Sequence, residues 1–236
     1  MQQAVNTAKK MAAFFRVDLG LSLTEPVDMT KVIMKTGISL LKTPLQGSIS
    51  GLYLRADSVK VILINSTKSM GHQNFTLAHE LYHAQSEEQR SRAYSAKQSE
   101  RLANTFASFF LMPERGVIEV LNARKAIESP GIGDIIYLEQ FYSVSHAAML
   151  CHLTALRIID NHKAKAVEHG VIGMAQRLGY GDALYKPTNE RSIISDYAEK
   201  AKEAHDTGLI TDTRYQELLA EIGLAQEILA DTDDVK

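Results

Sequence analysis

The sequence has no tryptophan and a single cysteine, Cys151. No internal disulfide can staple this chain, and the scarcity of thiols suits a reducing compartment, so the expected location is the cytoplasm. Long hydrophobic runs are missing as well. No stretch reaches the roughly 18 consecutive apolar residues of a membrane span, and the N-terminal "MQQAVNTAKKMAAFFRVDLG" lacks the apolar centre of a signal peptide. No membrane association is expected. Neither sign of charge is in excess: 26 Lys and Arg stand against 28 Asp and Glu, a net charge of −2. There is thus no global basic field to gather nucleic acid or an acidic membrane. What remains is an ordinary globular composition, 45% apolar and 23% charged, in 236 residues. That length fits one large domain or a compact core with small additions.

The periodicity predicts an amphipathic helix over 3–16, with Val5, Met11, Ala12 and Phe15 on its inner side. A short helix follows in "EPVDMTKVIMKTG", started near Pro26 or Asp28 and stopped by Gly37. "ISLLKTPL" reads as a strand, and Gly51–Arg55 with Val59–Asn65 as a hairpin whose apolar second strand lies inside the sheet. A polar stretch from Glu87 to Ser99 separates the next two helices; the second, Glu100–Met112, ends at Pro113. Another helix is predicted over 114–128. Residues 134–159 have the shape of a helix-turn-helix, with Ser143-Val144-Ser145 as the turn. Residues 162–185 read as helical and "YKPTNERS" as a linker. A final helical hairpin has Gly208 ending one helix and Thr211 capping the next, before an acidic tail that should fray. The expected domains are a core at 1–130, a helix-turn-helix-like segment at 131–187 packed on it, and a C-terminal hairpin with its tail at 188–236.

Eight histidines are the one compositional hint of a metal. Two fall in "NFTLAHELYHAQ", where His79-Glu80-Leu81-Tyr82-His83 is an H-E-x-x-H pattern. At 3.6 residues per turn both imidazoles leave one helix face a turn apart, a spacing that lets them reach one zinc ion. Glu80 is then placed to take a proton from an attacking water and hand it to a leaving amine. Alone, the pentapeptide also admits the lesser reading of a solvated helix face, and two histidines do not hold a catalytic zinc, so a third ligand is required. Glu87, Glu88 and Glu100 are the candidates. Glu87 sits eight residues past His79, about 12 Å along the axis, so these three cannot converge on one ion. The ligand must come from another element. Glu100 opens a helix with a small-residue face, Ala103 and Ala107, that admits a close neighbour. Asn104, one turn on, could orient a ligand through a hydrogen bond. Taken singly, Glu100 is as well an ordinary acid at a helix N-terminus.

Those two segments, "FTLAHELYHA" and "E-R-L-A-N-x-F-A" running on to "L-M-P", resemble the ImmA/IrrE family of zinc metallopeptidases. So do "PVDMTKVIMKTGISL", the hairpin with Gly51, and "VILIN" ending at Asn65; the likeness covers roughly residues 5–160. The resemblance implies an α+β, zincin-like core, with a small three-stranded sheet packed on the HExxH helix and a mostly helical C-terminal half. By the same likeness His79, His83 and Glu100 correspond to the ligands of one Zn2+ per chain, and Glu80 to the catalytic base. It also implies a narrow substrate, a helix-turn-helix repressor encoded nearby on a phage or mobile element, whose cleavage derepresses genes. Tyr82 stands where the family often has glycine.

A zinc peptidase needs an electrophile for the developing oxyanion besides the metal. Tyr82, Tyr94 and His72 are near in sequence, although packing or surface roles are the commoner reading for each. Cys151 and His152 are adjacent, and a thiolate capping the zinc is the minor reading, since neighbours on a helix point to different faces. In the helix-turn-helix segment only His146, His152 and Arg157 offer positive charge. That is poor equipment for phosphates and base edges, so DNA binding is not expected. The competing hypothesis is a non-catalytic regulator that binds DNA or a repressor and keeps zinc for structure.

Overall fold

The computed structural model describes residues 2–57, 59–87 and 95–221. Helix α1 spans Gln2–Asp18 and α2 spans Met29–Lys35, the latter capped by Asp28, whose carboxylate accepts the Lys31 N–H at 3.2 Å. Strands β1 (Ser39–Thr43), β2 (Gly51–Ala56) and β3 (Val59–Asn65) follow, then α3 (Met70–Glu87), α4 (Ala96–Leu111) and α5 (Glu114–Ala123). The remainder comprises α6 (Ile132–Tyr142), α7 (His146–Ala155), α8 (Asn161–Ala166), α9 (Val171–Arg177), β4 (Ser192–Ile194), α10 (Tyr197–Asp206) and α11 (Asp212–Glu221). This is the expected α+β class, with one addition to the sheet.

The sheet has four strands in the order β2-β3-β1-β4, not three. β1 runs parallel to β3, while β2 and β4 are antiparallel to their neighbours. The fourth strand begins at Ser192, the last residue of the stretch read as a linker, and pairs Lys42 with Ser192 and Leu40 with Ile194. Only three residues long, it carries too little alternation to stand out in the sequence. The apolar β3 is central, as its composition required, and β2 is left as an edge. One face of the sheet, with Leu40, Ile62 and Ile64 fully buried, packs on the helices. The other aligns Leu52, Leu63, Leu41 and Ile193 across all four strands, with Leu52 and Ile193 exposed at its margins.

Helix α3 lies against the sheet, and its fit depends on Gly51. A Cβ there would stand 2.5 Å from Thr76 Cγ2, so no larger residue lets β2 cross α3 this closely. Asn65 ties the sheet to the loop before β2, accepting the Leu45 N–H at 3.0 Å and donating to Ile49 O at 2.8 Å. Behind α3, Phe106 and Phe110 of α4 stack at 5.4 Å, and Phe15 of α1 leans on both. Arg16 is 1% exposed beneath them and donates to the carbonyl oxygens of Ser22, Glu25 and Phe110. Burial pushes this guanidinium down to about 10, partly offset by nearby Tyr142 and Glu25. It joins α1, the following loop and the end of α4.

The helix-turn-helix shape is present. Ser143, at φ 54°, ends α6, and Ser145 caps α7 by accepting the Ala148 N–H. Its turn packs against α3. Gly71 of α3 approaches the turn so closely that a Cβ would lie 2.5 Å from Ser145 N, and Asn74 Nδ2 donates to Ser143 O at 2.9 Å. His146 and His152 are both buried, and the exposed positions of α7, Ala147, Cys151 and Ala155, carry no basic side chain. His146 Nδ1 bonds Glu139 at 2.6 Å, and Tyr185 donates to the same carboxylate at 2.9 Å. Burial opposes a charge on His146, but the hydrogen bond and charge of Glu139 outweigh it and raise its pKa. Residues 162–185 are not one helix: α8, α9 and a 3-10 turn at Ala183–Tyr185 are separated by Gly170 and Gly179 in the left-handed region.

Candidate metal centre

His79 and His83 project from one face of α3 with their Nε2 atoms 3.2 Å apart. Glu100 reaches both from α4: Oε2 lies 3.2 Å from His79 Nε2 and Oε1 lies 3.2 Å from His83 Nε2. The approach is made possible by Ala103 and Ala107, both fully buried where α4 meets α3. Glu100 does not open its helix, however. Ser95 and Gln98 form a capping box that starts α4 at Ala96, so Glu100 stands in the second turn, at the level of the histidines. Ser95-Ala96-Lys97-Gln98 was the signal in the sequence.

These donors fit a tetrahedral cation. With metal–ligand bonds of about 2.0–2.1 Å, tetrahedral ligand atoms stand roughly 3.3 Å apart; the two imidazole nitrogens are 3.2 Å apart, and each carboxylate oxygen of Glu100 lies 3.2 Å from one of them. The ligand atoms of His79, His83 and Glu100 lie within 4.8 Å of one another, forming the one such group of His, Cys, Asp and Glu among the described residues. Asn104 Oδ1 accepts from His79 Nδ1 at 2.9 Å, which places the proton on Nδ1 and leaves the Nε2 lone pair for a metal. The histidine side chains are 15% exposed and Glu100 is 59% exposed, so the group opens to solvent on the α4 side.

Glu80 is 8% exposed, and its Oε2 accepts the main-chain N–H of Tyr53 at 3.0 Å. Burial raises its pKa above the usual carboxylate range; His79 and the Tyr53 N–H oppose this, and the Glu100 charge adds to it.

The other named side chains are placed differently. His72 lies two turns before His79, about 10 Å along the axis, and its Nε2 bonds Ser50 Oγ at 2.9 Å. Burial lowers its pKa, and the charge of Lys68 lowers it further. Tyr82 is 6% exposed and packs its ring on Phe106 at 5.6 Å and edge-on to His83 at 5.7 Å. It backs the liganding face instead of lining a cleft. Tyr94 and Glu88 lie outside the described residues. Cys151 is exposed on α7, while His152 turns into the core and meets Ser108 Oγ at 2.6 Å. The contribution that side-chain patterns could not announce is the peptide N–H of Tyr53.

The profile of the peptidase family M78, described as the IrrE N-terminal-like domain, matches residues 33–154, a little over half of the chain. Among solved structures, a Mycobacterium tuberculosis transcriptional regulator is similar, with 20% identity and a TM-score of 0.45 over 65% of this chain. The match covers 47% of that protein, so this chain spans about half of its length. No curated protein matches.

Proposed function

We propose, from the premise that this chain belongs to the IrrE N-terminal-like family of peptidases, that it is a zinc-dependent endopeptidase of the cytoplasm. The observation that carries the reading is the convergence of His79, His83 and Glu100, whose ligand atoms lie within 4.8 Å of one another, with Glu80 next to His79 on the same helix. Among the described residues that set numbers three, which supports an open catalytic position over a site closed by a fourth protein ligand. A bound zinc would supply Lewis acidity there, polarising the scissile carbonyl and making water a better nucleophile at neutral pH.

The chain's own residues do the rest. His79, oriented by Asn104, and His83, backed by Tyr82, would hold the ion with Glu100. Glu80 takes a proton from the attacking water and delivers it to the leaving amine. The outer edge of β2 holds an extended substrate by strand addition, fixing the peptide's direction over α3. The resemblance to ImmA/IrrE proteins points to a helix-turn-helix repressor encoded nearby, on a phage or mobile element, whose cleavage derepresses its genes.

Purified protein incubated with the neighbouring repressor should cut it, and should stop doing so with chelator or after Glu80→Gln. Equal cleavage by Glu80→Gln would refute the mechanism.

A further inference from the structure

In the β2–β3 ladder the Asn65 N–H donates to Ser50 O at 2.9 Å. Antiparallel partners alternate between bonded and unbonded pairs. Leu52 and Leu54 therefore turn their N–H and C=O groups toward β3, while Gly51, Tyr53 and Arg55 turn theirs to the open edge. At the middle of that edge the donor is already engaged, since Tyr53 N–H gives to Glu80 Oε2 at 3.0 Å. A carboxylate oxygen thus stands where the carbonyl oxygen of an added strand would be received.

We propose that this hydrogen bond is a latch operated by the substrate itself; the inference rests on the peptidase reading above. At rest, Tyr53 N–H holds the Glu80 carboxylate. When an extended peptide joins β2, one of its carbonyl oxygens takes over that N–H, and Glu80 is released to accept a proton from water. The exchange replaces a charged acceptor by a neutral one, and charge-assisted bonds are the stronger kind. It therefore proceeds only when further pairing, at Gly51 and Arg55, comes with it. A short peptide leaves the base tied, whereas a longer one frees it. Selectivity is then exerted on the rate constant as well as on binding, because contacts remote from the scissile bond are used to arm the base.

Two measurements on the full chain test this. The first is amide hydrogen exchange, metal-free and zinc-loaded. Tyr53 should be protected in the wild type and should exchange about tenfold faster in Glu80→Ala, the loss of one hydrogen bond. Leu63, which is bonded within the ladder, should be unaffected. An unchanged Tyr53 rate would overturn the latch whatever the metal does. The second compares the affinities of zinc-loaded protein for acetohydroxamate and for a penta-alanine hydroxamate, both anchored by the metal. Their ratio reads the β2 edge alone. It should be about tenfold larger in Glu80→Ala than in the wild type, since no bond must then be displaced. It should be smaller in Tyr53→Pro than in Tyr53→Ala, because proline removes an N–H that the ladder does not use. Equal ratios in the wild type and Glu80→Ala would overturn the proposal. If no variant binds either hydroxamate, the zinc peptidase reading falls instead, and Tyr53 exchange still decides the latch.

Discussion

Replacing Asn104 by alanine removes one hydrogen bond, 2.9 Å long, from the far side of the His79 ring. Asn104 is exposed, so the change leaves no buried group without a partner, and stability should move by no more than about 0.5 kcal/mol. The effect on the metal should be much larger. Without its acceptor the imidazole can rotate, or place its proton on Nε2, and partners of this kind are worth roughly 10–100-fold in metal affinity. That corresponds to about 1.4–2.7 kcal/mol. Asn104→Asp supplies an acceptor with a full charge, which raises the basicity of the ring, so its affinity should equal or exceed the wild type. The assay is competition for zinc against a chromogenic chelator at neutral pH, with urea unfolding of the metal-free proteins alongside. His79→Ala and Glu100→Ala set the scale, since each removes a donor atom outright. Undiminished affinity in Asn104→Ala would refute the role given to that contact. Full zinc stoichiometry in both His79→Ala and Glu100→Ala would refute the site.

Arg16→Ala should destabilise the protein by about 3 kcal/mol or more in urea unfolding, because three carbonyl oxygens around a buried guanidinium lose their donor together. His152, which burial pushes down to about 4, takes up protons more readily in the unfolded chain. The stability it contributes is complete above about pH 6.5 and is lost as pH falls toward 4, some 3 kcal/mol in all. A His152→Gln variant should lack that portion of the acid slope, and an identical slope in both proteins would contradict it. Gly51→Ala should cost about 1–3 kcal/mol through overpacking against Thr76, with partial recovery in the Gly51→Ala/Thr76→Ser double variant. A double-mutant cycle showing strict additivity would rule out that contact as the cause.

Much of the centre was legible because it obeys helix geometry. The four-residue spacing of His79 and His83 sets them on one face, and the rise per residue excluded Glu87. Glu100 needed a second motif, since nothing in one helix says which other helix will lie beside it. Apolar periodicity starts α4 too late, since the apolar run begins after Glu100 while the Ser95–Gln98 box that opens the helix is polar. Tyr82 looked like an intruder in the motif, and only packing against Phe106 shows it to be core. The Glu139–His146–Tyr185 cluster draws on residues 46 positions apart, beyond the reach of any local pattern. Tyr53 acts through an atom that every residue but proline possesses, so its identity carries no signal.

The pairing of β4 with β1 also sets a schedule. Leu40 meets Ile194 across about 150 residues of chain. At roughly 5–20 residues per second, a nascent chain spends on the order of 8–30 s with β1 synthesised and its partner not yet made. For that interval the sheet has two raw borders. The histidine helix and its glutamate partner can already be in place, while the β1 border offers unpaired amides to any other chain nearby. A burst of synthesis should therefore favour association between unfinished chains, and slower translation beyond α9 should lengthen the exposure.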